Sequence, residues 1–141
     1  MNLDAIRDML GGGSFAAVSD AMELAQIGKQ PNLRLPAAYV VPDTESANDA
    51  ASGSYVFEQL LLSTFAVVLL VGADKARKGL AADRICILED EVISRLHGQQ
   101  PSGFDSPLGL VDISTADITA SYVVRVIRFR ARRRIRTVRN P

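Results

Sequence analysis

Between Arg125 and Arg139 the chain carries eight arginines and no acidic residue. Five of them, Arg128, Arg130, Arg132, Arg134 and Arg136, fall at every second position. Side chains alternate between the two faces of a β-strand, so a strand puts these five on one side. Val123, Ile127, Phe129, Ala131, Ile135 and Thr137 then share the other side. A helix would group Arg125, Arg128, Arg132, Arg136 and Arg139 instead, but it leaves the apolar row without an explanation. Tyr122-Val123-Val124 and Val126-Ile127 are also strand-favouring runs. Residues 121–139 are therefore predicted to form an arginine-rich C-terminal strand, interrupted in its alternation by Arg125, Arg133 and Arg139.

Successive guanidiniums on such a face stand about 6.6 Å apart along the strand and repel one another. Three roles stay open. The row guards an exposed edge strand against sheet-to-sheet association, docks on an acidic protein surface, or contacts nucleic acid. Only Tyr122 and Phe129 interleave with it, which is a poor platform for stacking bases. Charge elsewhere has the opposite sign. All 16 acidic residues lie at or before Asp117, and outside the arginine segment eight basic residues face those sixteen. The formal net charge of zero thus conceals an acidic body with a basic end, a polarity that speaks to partners.

At 141 residues, with 48% apolar residues, the chain has the size and content of one domain, 1–141, with its own core. Residues 2–10 read as a short helix with Leu3, Ile6 and Leu10 at helical spacing, ended by Gly11-Gly12-Gly13. Residues 14–18 suit a short strand, and residues 20–27 a second short helix stopped by Gly28 and Pro31. Pro36-Ala37-Ala38-Tyr39-Val40-Val41-Pro42 suits a short buried strand between prolines. Residues 43–54, rich in Asp, Ser, Ala, Asn and Gly, are expected to form an exposed loop. Residues 55–71 suit one long strand or two, with Phe65 to Val71 central and buried on both faces. Within 74–97, Ile85, Leu88, Val92 and Leu96 make one apolar stripe, predicting an amphipathic helix laid on a sheet and capped by Gly98. A strand over 108–113, a turn near Asp117 and the final strand follow. The expected class is α+β: a mostly antiparallel or mixed sheet, one main amphipathic helix across a face, and short N-terminal helices.

Reactive groupings are scarce. His97, the single histidine, falls in the last turn of the main helix, where the dipole favours a cation. Cys86, between Ile85 and Ile87, is expected to be a buried, inert thiol. As the only cysteine it allows no disulfide within one chain, which fits a reducing cytoplasm. No Cys/His spacing suits zinc. Glu89-Asp90-Glu91 diverge in direction on a helix and are expected to be a solvated face rather than a metal site. Gly11-Gly12-Gly13 lacks the lysine of a phosphate loop. No catalytic, cofactor or metal residue is expected. The longest apolar run, 64–72, is far too short to span a bilayer, and the N-terminus has no signal-peptide core.

The proline-bounded run 36–42, the run Phe65 to Val71 leading into a helix that ends at Leu96-His97-Gly98, and the arginine-rich last strand together resemble the tail terminators of long-tailed bacteriophages. The resemblance extends from Ala21 to Thr137. It implies a structural virion protein at the tail–neck junction, assembled in the host cytoplasm. Such proteins form a homo-hexameric ring on the last ring of the tail tube. They stop tube polymerisation and present a docking surface to head-completion or connector proteins, and DNA passes through the hole without sequence-specific binding. The family has no active site to transfer. On the residues themselves, Arg128, Arg130, Arg132, Arg134 and Arg136 are the expected assembly or docking face. Asp43, Glu45 and Asp49 are expected on a loop that reaches a neighbouring subunit. The rival readings are another neck protein, such as a stopper or tail-completion factor, and a small nucleic-acid-binding protein.

Overall fold

Two strands of 17 residues each, β4 (Val56–Gly72) and β6 (Tyr122–Val138), pair antiparallel along their whole length. Val56 stands opposite Val138 at one end and Gly72 opposite Tyr122 at the other. The computed structural model describes residues 1–26, 34–48, 51–52, 55–72, 78–118 and 122–139. Around the central pair lie α1 (Asp4–Leu10), β1 (Ala17–Asp20), α2 (Ala21–Ala25), β2 (Ala37–Ala47), β3 (Ala51–Ser52), α3 (Lys78–Leu96) and β5 (Gly109–Ile118). The sheet order is β1-β2-β4-β6-β5, with β3 also on β4. Among the described residues, only the β1–β2 pairing is parallel. The expected α+β class with a mixed sheet is what the chain adopts.

Central position explains the composition of β4. From Phe65 to Val71 both faces are covered, and every residue is buried. On one face α3 lays down Ile85, Leu88, Val92 and Leu96, the stripe that its spacing predicts. They meet Phe65, Val67 and Leu69 of β4, Ile127 and Phe129 of β6, and Ile6 and Leu10 of α1. Phe65 and Phe129 are cross-strand partners, stacked at 5.7 Å between ring centroids. The opposite face holds a smaller cluster: Ala37, Tyr39, Ala66, Val68, Leu70 and Val126, with Leu24 of α2 against it.

Local chemistry sets the element ends. Asp20 caps α2 by accepting from the Met22 and Glu23 amides, both at 3.1 Å. Gly98, at φ +78°, closes α3 in a conformation that a Cβ penalises. Its amide donates to Leu108 O at 2.9 Å, tying the helix end to the start of β5. The glycine run after α1 does more than stop a helix. Glu91 of α3 accepts from the Ser14 amide and hydroxyl, and Arg95 donates to Met9 O and Gly11 O. Gly13 passes so close that a Cβ there would lie 2.7 Å from Arg95 Nη2.

Several expectations are corrected. Within the expected loop 43–54, residues 43–47 instead continue β2 and 51–52 form β3, while 43–48 are exposed as expected; 49–50 and 53–54 lie outside the described residues. Pro42 does not end the strand, because a bulge between Pro42 and Thr44 absorbs the missing donor and pairing resumes at Thr44. β5 runs on to Ile118, past the expected end at 113, with Asp117 next to its last residue. The first strand begins later than expected, at Ala17. Cys86 is exposed, one position off the buried stripe. Glu89 and Glu91 are not merely solvated: each binds a distant segment, Arg125 and Ser14 respectively. The expected stop of the second helix at Gly28 and Pro31, and the expected start of the main helix at 74, lie outside the described residues.

Truncating Phe129 to alanine removes a fully buried ring from the stack, and the expected loss is about 3–5 kcal/mol in a denaturant titration. Gly13→Ala would crowd the Arg95 guanidinium, whose Nη1 bonds Met9 O and Gly11 O, and make it shift. It should cost up to about 1 kcal/mol in the same measurement, the scale of a weakened hydrogen bond to a charged donor.

Candidate functional site

Burial along β6 stops at Ala131, but its pairing with β4 continues to Val138. The outer halves of β4 and β6 therefore form an arm, with Thr44 to Ala47 of β2 and the short β3 beside β4. Directly opposed residues share a face in an antiparallel pair. One face of the arm continues the helix-covered side of the sheet and carries Phe57, Leu61, Arg133 and Ile135. The other, open face carries Leu60, Leu62 and Thr64 on β4, opposite Arg134, Arg132 and Arg130.

All five alternating arginines lie on the open side, as the two-residue period requires. They are not equivalent. Arg128 pairs with Asp112 at 3.0 Å and with Asp43 at 3.4 Å, and Arg136 pairs with Glu58 at 3.3 Å. Arg130, Arg132 and Arg134, in the middle of the row, are exposed and have no acidic side-chain partner among the described residues. In water each neighbouring pair in such a row repels by roughly 0.6 kcal/mol at a ~6.6 Å spacing. That cost is small enough for the fold to bear, and it is relieved when an anion arrives.

Residues 105–109 hold the row in place. β5 pairs with β6 only as far as Gly109 opposite Arg130. Beyond it the Asp105 amide donates to Arg132 O at 2.8 Å. The Arg132 amide donates to Ser106 Oγ at 2.7 Å, and the Arg134 amide to Asp105 Oδ2 at 2.6 Å. The row's backbone is thus fixed while its guanidiniums point outward. Between the row and this segment runs a shallow groove of about 340 Å³, lined by Leu62, Ser106, Pro107, Gly109, Arg130, Ala131 and Arg132.

Of the arginines that break the alternation, Arg125 and Arg133 face the helix side and are consumed there. Arg125 Nε donates to Glu89 Oε2 of α3 at 3.0 Å, and its Nη1 to Thr115 Oγ1 at 2.8 Å. Arg133 donates to Glu45 Oε2 at 2.6 Å, and the Met1 amine lies 3.5 Å from the same carboxylate. Burial pushes Glu45 up, but the hydrogen bond and charge of Arg133, helped by that amine, outweigh it and leave the carboxyl below its ordinary value. This seam, with fully buried Ser63 beside it, separates the apolar core from the arm. The expected apolar row ends there: Ile127, Phe129 and Ala131 are buried, whereas Ile135 and Thr137 are exposed.

Asp43 and Glu45 therefore sit on a strand and pair within the chain, with Arg128 and Arg133; Asp49 lies outside the described residues. The structure adds features that alternation alone does not reveal. Exposed apolar side chains gather on the arm, namely Tyr55 and Phe57 with Leu62, Ile135 and Val138, and Ile87 projects from α3 at 68% exposure. The signal for Ile87 was present, since it falls off the 85-88-92-96 stripe.

The model of the family described as "Phage tail terminator protein" matches residues 13–140. No curated protein matches the chain. Among solved structures, a chain of the virion of a native gene transfer agent particle is similar at a TM-score of 0.49 and 20% identity, over 94% of this chain and 86% of that one.

Glu45 supplies a pH test. A carboxylate held below its ordinary value of 4.5 stabilises the fold above that pH, and the contribution fades as pH falls through the folded value. Glu45→Gln should lose about 0.5–1 kcal/mol at neutral pH, as for a partly exposed ion pair. Its unfolding midpoint should converge on that of the parent chain as the pH drops below 4.5.

Proposed function

This chain belongs to the phage tail terminator family, whose members are structural components of the virion tail, and from that premise we propose that it caps the tail tube. In this reading the whole chain acts as one domain, and six copies form a ring on the last ring of tube subunits. The ring ends polymerisation and offers its far side to the head-completion or connector proteins. DNA passes through the opening without sequence-specific binding, and the chain works by assembly, without catalysis.

The observation that carries this reading is the open face of the arm. Arg128 and Arg136 at the ends of the row are neutralised within the chain, while Arg130, Arg132 and Arg134 are left for something else. A fold that pairs its other strand arginines and holds these three on a fixed backbone is equipped to meet an acidic surface. Apolar side chains interspersed with the row add the desolvated contact that a lasting interface needs. Lining the DNA passage is the weaker role for the row, since several cationic rows would hold DNA that must move on.

Electron microscopy of the purified chain with tail tubes is expected to show a six-fold ring at one tube end and tubes of arrested length. Tubes that continue to grow would rule the capping role out. Replacing Arg130, Arg132 and Arg134 together by glutamine should leave the far-ultraviolet circular dichroism unchanged and reduce ring formation or docking. Normal assembly of that variant at physiological salt would remove the row from the interface.

A further inference from the structure

On the opposite side of the molecule α3 presents a second unmatched surface. Its buried stripe is Ile85, Leu88, Val92 and Leu96. The residues diametrically outward are Asp83, Ile87, Asp90 and Ser94, spaced i, i+4, i+7 and i+11 along one face. Asp83, Asp90 and Ser94 are exposed and Ile87 is 68% exposed. The neighbouring acids are already engaged, Glu89 by Arg125 and Glu91 by Ser14. Asp83 and Asp90 have no basic partner among the described residues. The outer face of α3 is therefore an apolar knob with an unpaired carboxylate on each side.

The open face of the arm is its counterpart. Leu62 stands opposite Arg132, and the shallow groove opens beside them. Arg130 and Arg134 flank that point about 6.6 Å away on either side along the strand. On the helix, Asp83 lies about 6 Å and Asp90 about 4.5 Å from Ile87 along the axis. Charge, sign and spacing match: an apolar centre between two cations meets an apolar centre between two anions, within the reach of arginine side chains.

We propose that the Arg130–Arg132–Arg134 row of one copy docks on the Asp83–Ile87–Asp90 face of α3 in a second copy, with Ile87 seated at the Leu62 groove. This rests on the ring reading above and names the partner of the row as another subunit rather than the tube or DNA. The two surfaces are different patches on opposite sides of the sheet, so the contact is head-to-tail, and each copy both gives and receives one. Such a contact closes into a ring when its rotation allows. It does not stop at a two-fold dimer.

Charge reversal tests this in the full chain. Arg130→Glu with Arg134→Glu, and separately Asp83→Arg with Asp90→Arg, are expected to weaken self-association by about tenfold or more, the scale of close interfacial charge pairs. Native mass spectrometry and sedimentation, free and on tail tubes, read the loss. Combining all four substitutions in one chain is expected to restore assembly, a recovery that damage to folding would not give. Cys86, exposed beside Ile87, supplies a direct probe. With Leu62→Cys added, a short bismaleimide should join residue 62 of one copy to residue 86 of the next. Reversed variants that assemble like the parent, a four-fold variant that stays dissociated, or cross-links joining 86 only to 86 would overturn this contact while leaving tube capping intact. Loss of tube or DNA binding with rings preserved would overturn it too, and give the row to that partner. A parent chain that stays monomeric both free and on tubes would sink the contact and the ring together.

Discussion

Register between β4 and β6 is the constraint from which the other features follow. One uninterrupted antiparallel ladder runs through both a core and an arm. The same period of two that buries Ile127, Phe129 and Ala131 under α3 sets Arg130, Arg132 and Arg134 on the open side. A slip of one residue would turn arginines into the core and phenylalanine into water. The stacked pair Phe65–Phe129 lies on this ladder, next to the last buried position, so core packing and arm geometry are locked by the same contacts.

The excess of arginine is sorted by face. On the helix side every arginine position in β6 has an acid to meet: Glu89 comes from α3 and Glu45 from β2. On the open side the two ends of the row are satisfied, and the middle has no acidic partner among the described residues. An unpaired row costs little while it stays in water, because the high dielectric weakens repulsion. Enclosed against an acidic surface, such charges would pair with less screening by water, so placement, more than number, decides what the row can do. The same logic gives α3 two sides: its inward leucines, isoleucine and valine hold the fold, and its outward aspartates and Ile87 are exposed.

Much of this was legible in the residues. The 85-88-92-96 stripe locates the main helix and its buried face, since that spacing, shared by Leu3, Ile6 and Leu10 over a shorter span, is sustained there for three turns. The apolar run from Phe65 to Val71 reads as a strand covered on both sides, and it lies mid-sheet. The alternation of arginine with apolar residues assigns the last strand and its cationic side. Residues 43–47 were illegible for a physical reason. Their small polar side chains carry a loop signature, yet they extend β2 because β4 offers a ladder beside them and a bulge at Pro42 repairs the interruption. Cys86 was misread because two isoleucines beside it suggest burial, whereas one step on a helix turns a residue by about 100°.

Composition and period thus determined the class, the principal helix and the sidedness of the arginine strand, because each depends on a local repeat. Tertiary structure decided which arginines remain available. That choice depends on acids brought from Asp43, Glu45, Glu58, Glu89 and Asp112, residues scattered over three strands and a helix, and pairing across such distances leaves no trace in spacing along the chain.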